Sequence, residues 1–171
     1  MVHDELVLQA RRLISADDGA PSQADLRRAV SSAYYAVFHG ISYAVSTQIV
    51  GKANDLQSAR NLVRRSLQHS AMKEACVGFA SGTPKDQYRQ ASGNSPLGPL
   101  RKVANIVVAL QAQRHVADYD FSRSIKRTEA LVAIEDASNA ISILNSYGVK
   151  RSKSAKVFFL SMLLHPLLKL R

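Results

Sequence analysis

The residues best suited to chemistry stand together in Arg114-His115-Val116-Ala117-Asp118-Tyr119-Asp120. On a helix, Arg114 and Asp118 form one i, i+4 pair, and His115 and Tyr119 form a second on the neighbouring face. Arg114 also shares a face with Val103, Val107 and Leu110, so its charge emerges from an apolar stripe. A guanidinium withdrawn from water requires a carboxylate partner or an anionic ligand. Two readings follow. In one, Arg114 and Asp118 are a structural ion pair that fixes helix packing. In the other, Arg114 binds phosphate through its planar fork, and His115 moves protons because an imidazole titrates near neutrality.

Other chemistries lack their residues. No Cys or His cluster has metal-ligand spacing, and neither a glycine-rich phosphate loop nor a G-x-S-x-G elbow is present. No cofactor is expected. The single Cys76, between Ala75 and Val77, excludes an internal disulfide, reads as a small buried hydrophobe and suits a reducing cytoplasm. The net charge of +10 invites acidic partners, but it is uneven. Residues 150–171 hold six of the 23 Lys and Arg side chains and none of the 13 acids.

The elements that must position this segment are helices. Leu26 to Ser46 carries Leu26, Ala29, Val30, Ala33, Val37, Gly40, Ile41 and Ala44 on one broad face. Arg28, Ser32, Tyr35, His39, Ser42 and Ser46 form a polar stripe opposite. Such a helix is the central member of a bundle, and its stripe must be hydrogen-bonded, face a cleft or face a second subunit. His39 reads first as a hydrogen-bonded interior or interface histidine and second as a base. Tyr34 and Tyr35 read first as packing residues and second as stacking platforms.

The remaining elements follow in order. Asp4 caps a first helix to about Ile14, with Leu6, Val7, Ala10, Leu13 and Ile14 inward, and residues 17–21 turn the chain. Ser22 and Asp25 form a capping box for the central helix, which Gly51 to Asn54 closes. A third helix from Asp55 places Leu56, Ala59, Leu62, Val63 and Leu67 inward, and continues through Met72, Ala75, Cys76 and Phe79 after a bend near His69. Residues 81–98, rich in Gly and Pro, read as a long loop. A helix over 99–119 and another to Tyr147 follow, the second with Ile125, Leu131, Ile134, Ile141 and Leu144 inward and Gly148 at its C′ position. Residues 149–171 form a separate basic and apolar helical segment, interrupted by Pro166. It packs on the bundle or a partner in preference to lying on an anionic membrane surface. No apolar leader follows Met1 and no apolar run reaches spanning length, so a cytoplasmic protein is expected. The expected fold is all-α, an up-and-down bundle of five or six helices counted over the whole chain, divided into the bundle proper (1–148) and the tail (149–171).

The pairing of LRRAVSSAYYAVFH in the second helix with RHVADYD late in the fourth resembles the HEPN superfamily of small helical-bundle proteins. The likeness is strongest to a prokaryotic branch with an AYYAxFH helix and an R-x-x-A-D-Y segment, and it spans about residues 5–147. It implies that the bundle is HEPN-like and forms a homodimer that is often encoded beside a minimal nucleotidyltransferase or acts as a toxin. Many members are endoribonucleases that need no metal and use an Arg and a His four to six residues apart. Arg114 matches the Arg, Tyr119 matches the tyrosine, and Asp118 stands where active members place His. Arg64 and His69 also satisfy the spacing, but ~140° apart on one helix they read as coincidence.

The sequence thus supports RNA or nucleotide binding in a cleft whose candidate catalytic residues are Arg114, His115 and Asp118. Tyr119, His39 and Tyr35 are the candidate ligand-binding residues. In cleavage, His115 would transfer the proton and Arg114 would stabilise the phosphorane charge. The alternative is a non-catalytic interaction module, an adaptor or antitoxin-like partner with a structural Arg–Asp pair.

Overall fold

A computed structural model of the chain describes residues 1–15, 19–93, 98–146 and 152–168. Among these, eight α-helices and one short 3-10 turn are formed, and no strand. The helices are α1 (Val2–Leu13), α2 (Gln23–Val50), α3 (Gln57–Ser66), α4 (His69–Ser81), α5 (Asp86–Ser92), α6 (Gly98–Tyr119), α7 (Arg127–Asn145) and α8 (Lys153–Leu168). None of the described helices is long and apolar enough to cross a membrane.

As its apolar breadth requires, α2 is central, packing against α1, α3, α6, α7 and α8. Its capping box forms as expected: Ser22 Oγ accepts the Asp25 amide at 3.2 Å, and Asp25 accepts the Ser22 amide at 3.1 Å. The α2–α7 crossing is built from small residues. Ala130, Ala133, Ala137 and Ala140 of α7 are wholly buried, and a Cβ on Gly40 of α2 would lie only 3.4 Å from Ile141. Much of the polar stripe is satisfied within the chain. Ser32 donates to Gln9 of α1 at 3.3 Å, and Arg64 of α3 donates to the Ser46 hydroxyl at 3.0 Å. Arg28 and His39 stay exposed.

The helix count exceeds the five or six expected, for two reasons. The third helix is not bent but broken: Leu67 is extended (ψ 125°) and buried, so α3 and α4 are separate rods. Burying Leu67 at the break costs Leu62 its inward place, and Leu56 also lies at the surface. The stretch 81–98, read as a loop, contains α5, which packs on α8 and buries Tyr88 beside Phe79. Gly82 ends α4 in the left-handed region (φ 79°), with the Thr83 amide bonding back to the Gly78 carbonyl.

Smaller corrections have equally local causes. α1 starts at Val2, and Asp4 lies in its first turn, paired with the terminal amine at 3.1 Å. α7 begins at Arg127 because Glu129 accepts the Lys126 amide at 2.8 Å, and Leu131 is left half-exposed. Pro166 does not interrupt α8, which continues to Leu168. That helix is core: Ala155, Phe158, Phe159 and Met162 are buried, and His165 bonds Glu74 of α4 at 2.8 Å. The expected turn at Asp17 and Asp18, the Gly148 cap, and Lys150, Arg151, Lys169 and Arg171 lie outside the described residues.

Candidate functional site

The end of α6 that carries the motif is held in place by the first turns of α2. Gln23 forms a two-point clamp on Ile125, donating to its carbonyl at 2.9 Å and accepting from its amide at 2.8 Å. Arg27 donates to the Ala117 carbonyl at 2.9 Å and to the Arg123 carbonyl, capping the C-terminus of α6 with positive charge. The guanidinium of Arg27 also lies 5.2 Å from the ring of Phe121, which is exposed.

Within this frame the Arg114 Nε stands 2.5 Å from Asp118 Oδ2, and the other carboxylate oxygen accepts from the Ser31 hydroxyl of α2. One Nη of Arg114 donates to the Tyr35 hydroxyl at 3.1 Å. Three tyrosine rings surround the guanidinium, Tyr35 at 5.5 Å, Tyr119 at 5.6 Å and Tyr34 at 5.9 Å. Such contacts favour the cation. Burial lowers the pKa of Arg114, but Asp118, then Tyr35 and Tyr119, outweigh it and leave the value above that of a free Arg. The charge is therefore permanent, with 21% of the side chain still open to solvent.

The sequence candidates divide accordingly. Arg114, Asp118, Tyr35 and Tyr119 are brought together. His115 is exposed on the adjacent face with its ring 5.1 Å from that of Tyr119. His39 lines a shallow groove with His3, Tyr43 and Arg64, where desolvation by the surrounding protein and the Arg64 charge hold its pKa below the ordinary value. It makes no contact with Arg114.

Sequence reasoning missed Ser31 and, more consequentially, set His69 aside as a coincidence of spacing. Because the chain breaks at Leu67, His69 opens α4 and reaches back to α2. Its ring stacks on Phe38 at 3.8 Å, meets Tyr35 edge-on at 5.8 Å, and places Nδ1 2.7 Å from the Tyr34 hydroxyl. Burial lowers its pKa, and the Arg114 charge and His39 add to the effect. The Arg64–His69 spacing was a signal, but it pointed to the wrong arginine. Among the described residues, no group of three or more His, Cys, Asp or Glu is arranged to hold a metal ion.

Comparison of the chain with known protein families, curated proteins and solved structures finds no match.

Proposed function

We propose that the chain is a HEPN-like protein that binds RNA or a nucleotide at the end of α6, with metal-independent ribonuclease activity of toxin or defence type as its further expectation. The observation that carries the reading is the state of Arg114. Asp118 and Tyr35 hold its guanidinium in place, yet it stays partly open beside the exposed His115 and Tyr119. A preorganised cation next to an exposed aromatic ring suits a phosphodiester with a stacked base. Both Asp118 oxygens are engaged, by Arg114 and by Ser31, so its role here is to orient the guanidinium and not to carry a proton. His115 is the residue of α6 free to do that. A homodimer, and a nucleotidyltransferase-type partner, belong to the same reading.

A second reading keeps the same contacts as purely structural. Mutual satisfaction of Arg114, Asp118, Ser31 and Tyr35 favours it, and the protein is then an interaction module.

Fluorescence anisotropy with a labelled single-stranded RNA separates the two. Tyr119 is 61% exposed, so Tyr119→Ala leaves folding intact. It should weaken binding by roughly fivefold or more, the worth of one stacked base. Arg114→Gln should weaken it further and lessen its salt dependence. Absence of wild-type binding, or equal binding by all three proteins, overturns the proposal.

A further inference from the structure

We infer that His69 and Arg114, approaching from different helices over the rings of Tyr34 and Tyr35, form one seat for a phosphate group, with His69 and not His115 as its imidazole. The inference rests on the RNA- or nucleotide-binding reading and names the second group that touches the phosphate.

The two side chains share a wall. The ring of His69 lies 5.6 Å from Tyr34 and 5.8 Å from Tyr35, and the Arg114 guanidinium lies 5.9 Å and 5.5 Å from the same two rings. Tyr35 links them directly, since its hydroxyl accepts from Arg114 while its ring meets His69 edge-on.

The Tyr34 hydroxyl determines which nitrogen of His69 carries the proton. Tyr34 is buried, and its hydroxyl hydrogen has no acceptor among the described residues other than His69 Nδ1 at 2.7 Å. Burial also makes Tyr34 a weaker acid than usual, so it keeps that hydrogen. Tyr34 therefore donates to Nδ1, and the neutral imidazole carries its own hydrogen on Nε2. His69 is itself only half-buried, so this N–H is a candidate donor to an anion. Arg114 retains donors as well: Nε faces Asp118, one Nη faces Tyr35, and the other Nη has no hydrogen-bond partner among the described residues.

Stacking on Phe38 holds the His69 ring in one plane, which lowers the entropy lost when it meets a ligand. A bound phosphate would also reverse the local balance of charge. Among the described residues, the charges that act on His69 are those of Arg114 and His39, and both disfavour the imidazolium, whereas an anion between His69 and Arg114 favours it. His115 is exposed, and among the described residues its ring contact is with Tyr119.

Two substitutions separate the nitrogens. In His69→Asn the amide can replace Nδ1 toward Tyr34 but offers nothing at Nε2. In His69→Gln the longer amide places a donor near Nε2. By anisotropy with single-stranded RNA, His69→Asn should bind roughly tenfold or more weakly, the value of a hydrogen bond to a charged group, and His69→Gln should recover most of that loss. In parallel, histidine side-chain 15N NMR of the wild type with inorganic phosphate should move the His69 signals and raise its titration midpoint, leaving His115 in place. If Tyr119→Ala loses RNA binding while His69→Asn retains it, or if phosphate moves His115 and not His69, the inference is overturned and the RNA-binding reading stands. If the wild type binds neither RNA nor phosphate, both fall together.

Discussion

Arg114 Nε and Asp118 Oδ2 are 2.5 Å apart, one helical turn from each other, with side chains only 21% and 26% exposed. This pair lies between the surface and buried cases. Its loss should cost about 2 kcal/mol, midway between the near-zero worth of exposed pairs and the penalty of a stranded buried charge. Arg114→Ala and Asp118→Asn should each lower the urea midpoint, and the double variant should cost clearly less than the sum of the two. Additive losses would show that the contact contributes no stability of its own.

Acid should loosen the fold before the carboxylates titrate. His3, His39 and His69 all have pKa values held below the ordinary 6.5 in the folded chain, chiefly by burial. The terminal amine and His39 add to the effect at His3 while Asp4 opposes it. Arg64 adds to it at His39, and Arg114 and His39 do so at His69. Below about pH 6.5 the unfolded chain binds protons that the folded chain refuses, so stability is undiminished above that pH and falls as pH drops through the window beneath it. Urea midpoints at about pH 7.5 and 5.5 should differ in that direction, and His3→Gln should narrow the gap. Equal midpoints for the wild type would refute the claim.

The tail should behave as core. Phe158 of α8 is fully buried, with its ring 4.9 Å from that of Phe79, so Phe158→Ala should cost about 3–5 kcal/mol. Lys156→Ala, exposed on the same helix, should stay within about 0.5 kcal/mol of wild type. Similar melting temperatures for the two variants would mean that α8 contributes little to the fold.

Arg60 has no carboxylate partner among the described residues, yet it is buried. Its guanidinium donates to the carbonyls of Gly51 and Ala53 at 2.9 and 2.8 Å and to the Gln57 side chain at 3.0 Å. It ties the end of α2 to the start of α3. Arg60→Met keeps the apolar stem but removes the donors. It should cost about 1–2 kcal/mol and speed hydrogen exchange of the amides over 51–57. Unchanged exchange there would leave Arg60 a packing residue only.

Much of this architecture was legible in the chain itself. The all-helical class, the central place of α2, the Ser22–Asp25 capping box and the Arg114–Asp118 pair all rest on residues within one or two turns of each other. At that range, helical periodicity and side-chain reach decide the outcome, and sequence spacing reports both directly. Tertiary structure decided the rest. No Gly or Pro marks the break at Leu67; it arises because a buried leucine in extended conformation suits the packing of α3 and α4 on different neighbours. Nothing local predicts helix for Asp86–Ser92, which lies against α8, more than 60 positions later in the chain. The meeting of His69 with Tyr34 and Tyr35, 35 and 34 positions earlier, depends on that same break. Periodicity along one rod cannot report a contact created where two rods part, so the histidine that shares the Tyr34 and Tyr35 rings with Arg114 was the one the spacing paired with another arginine.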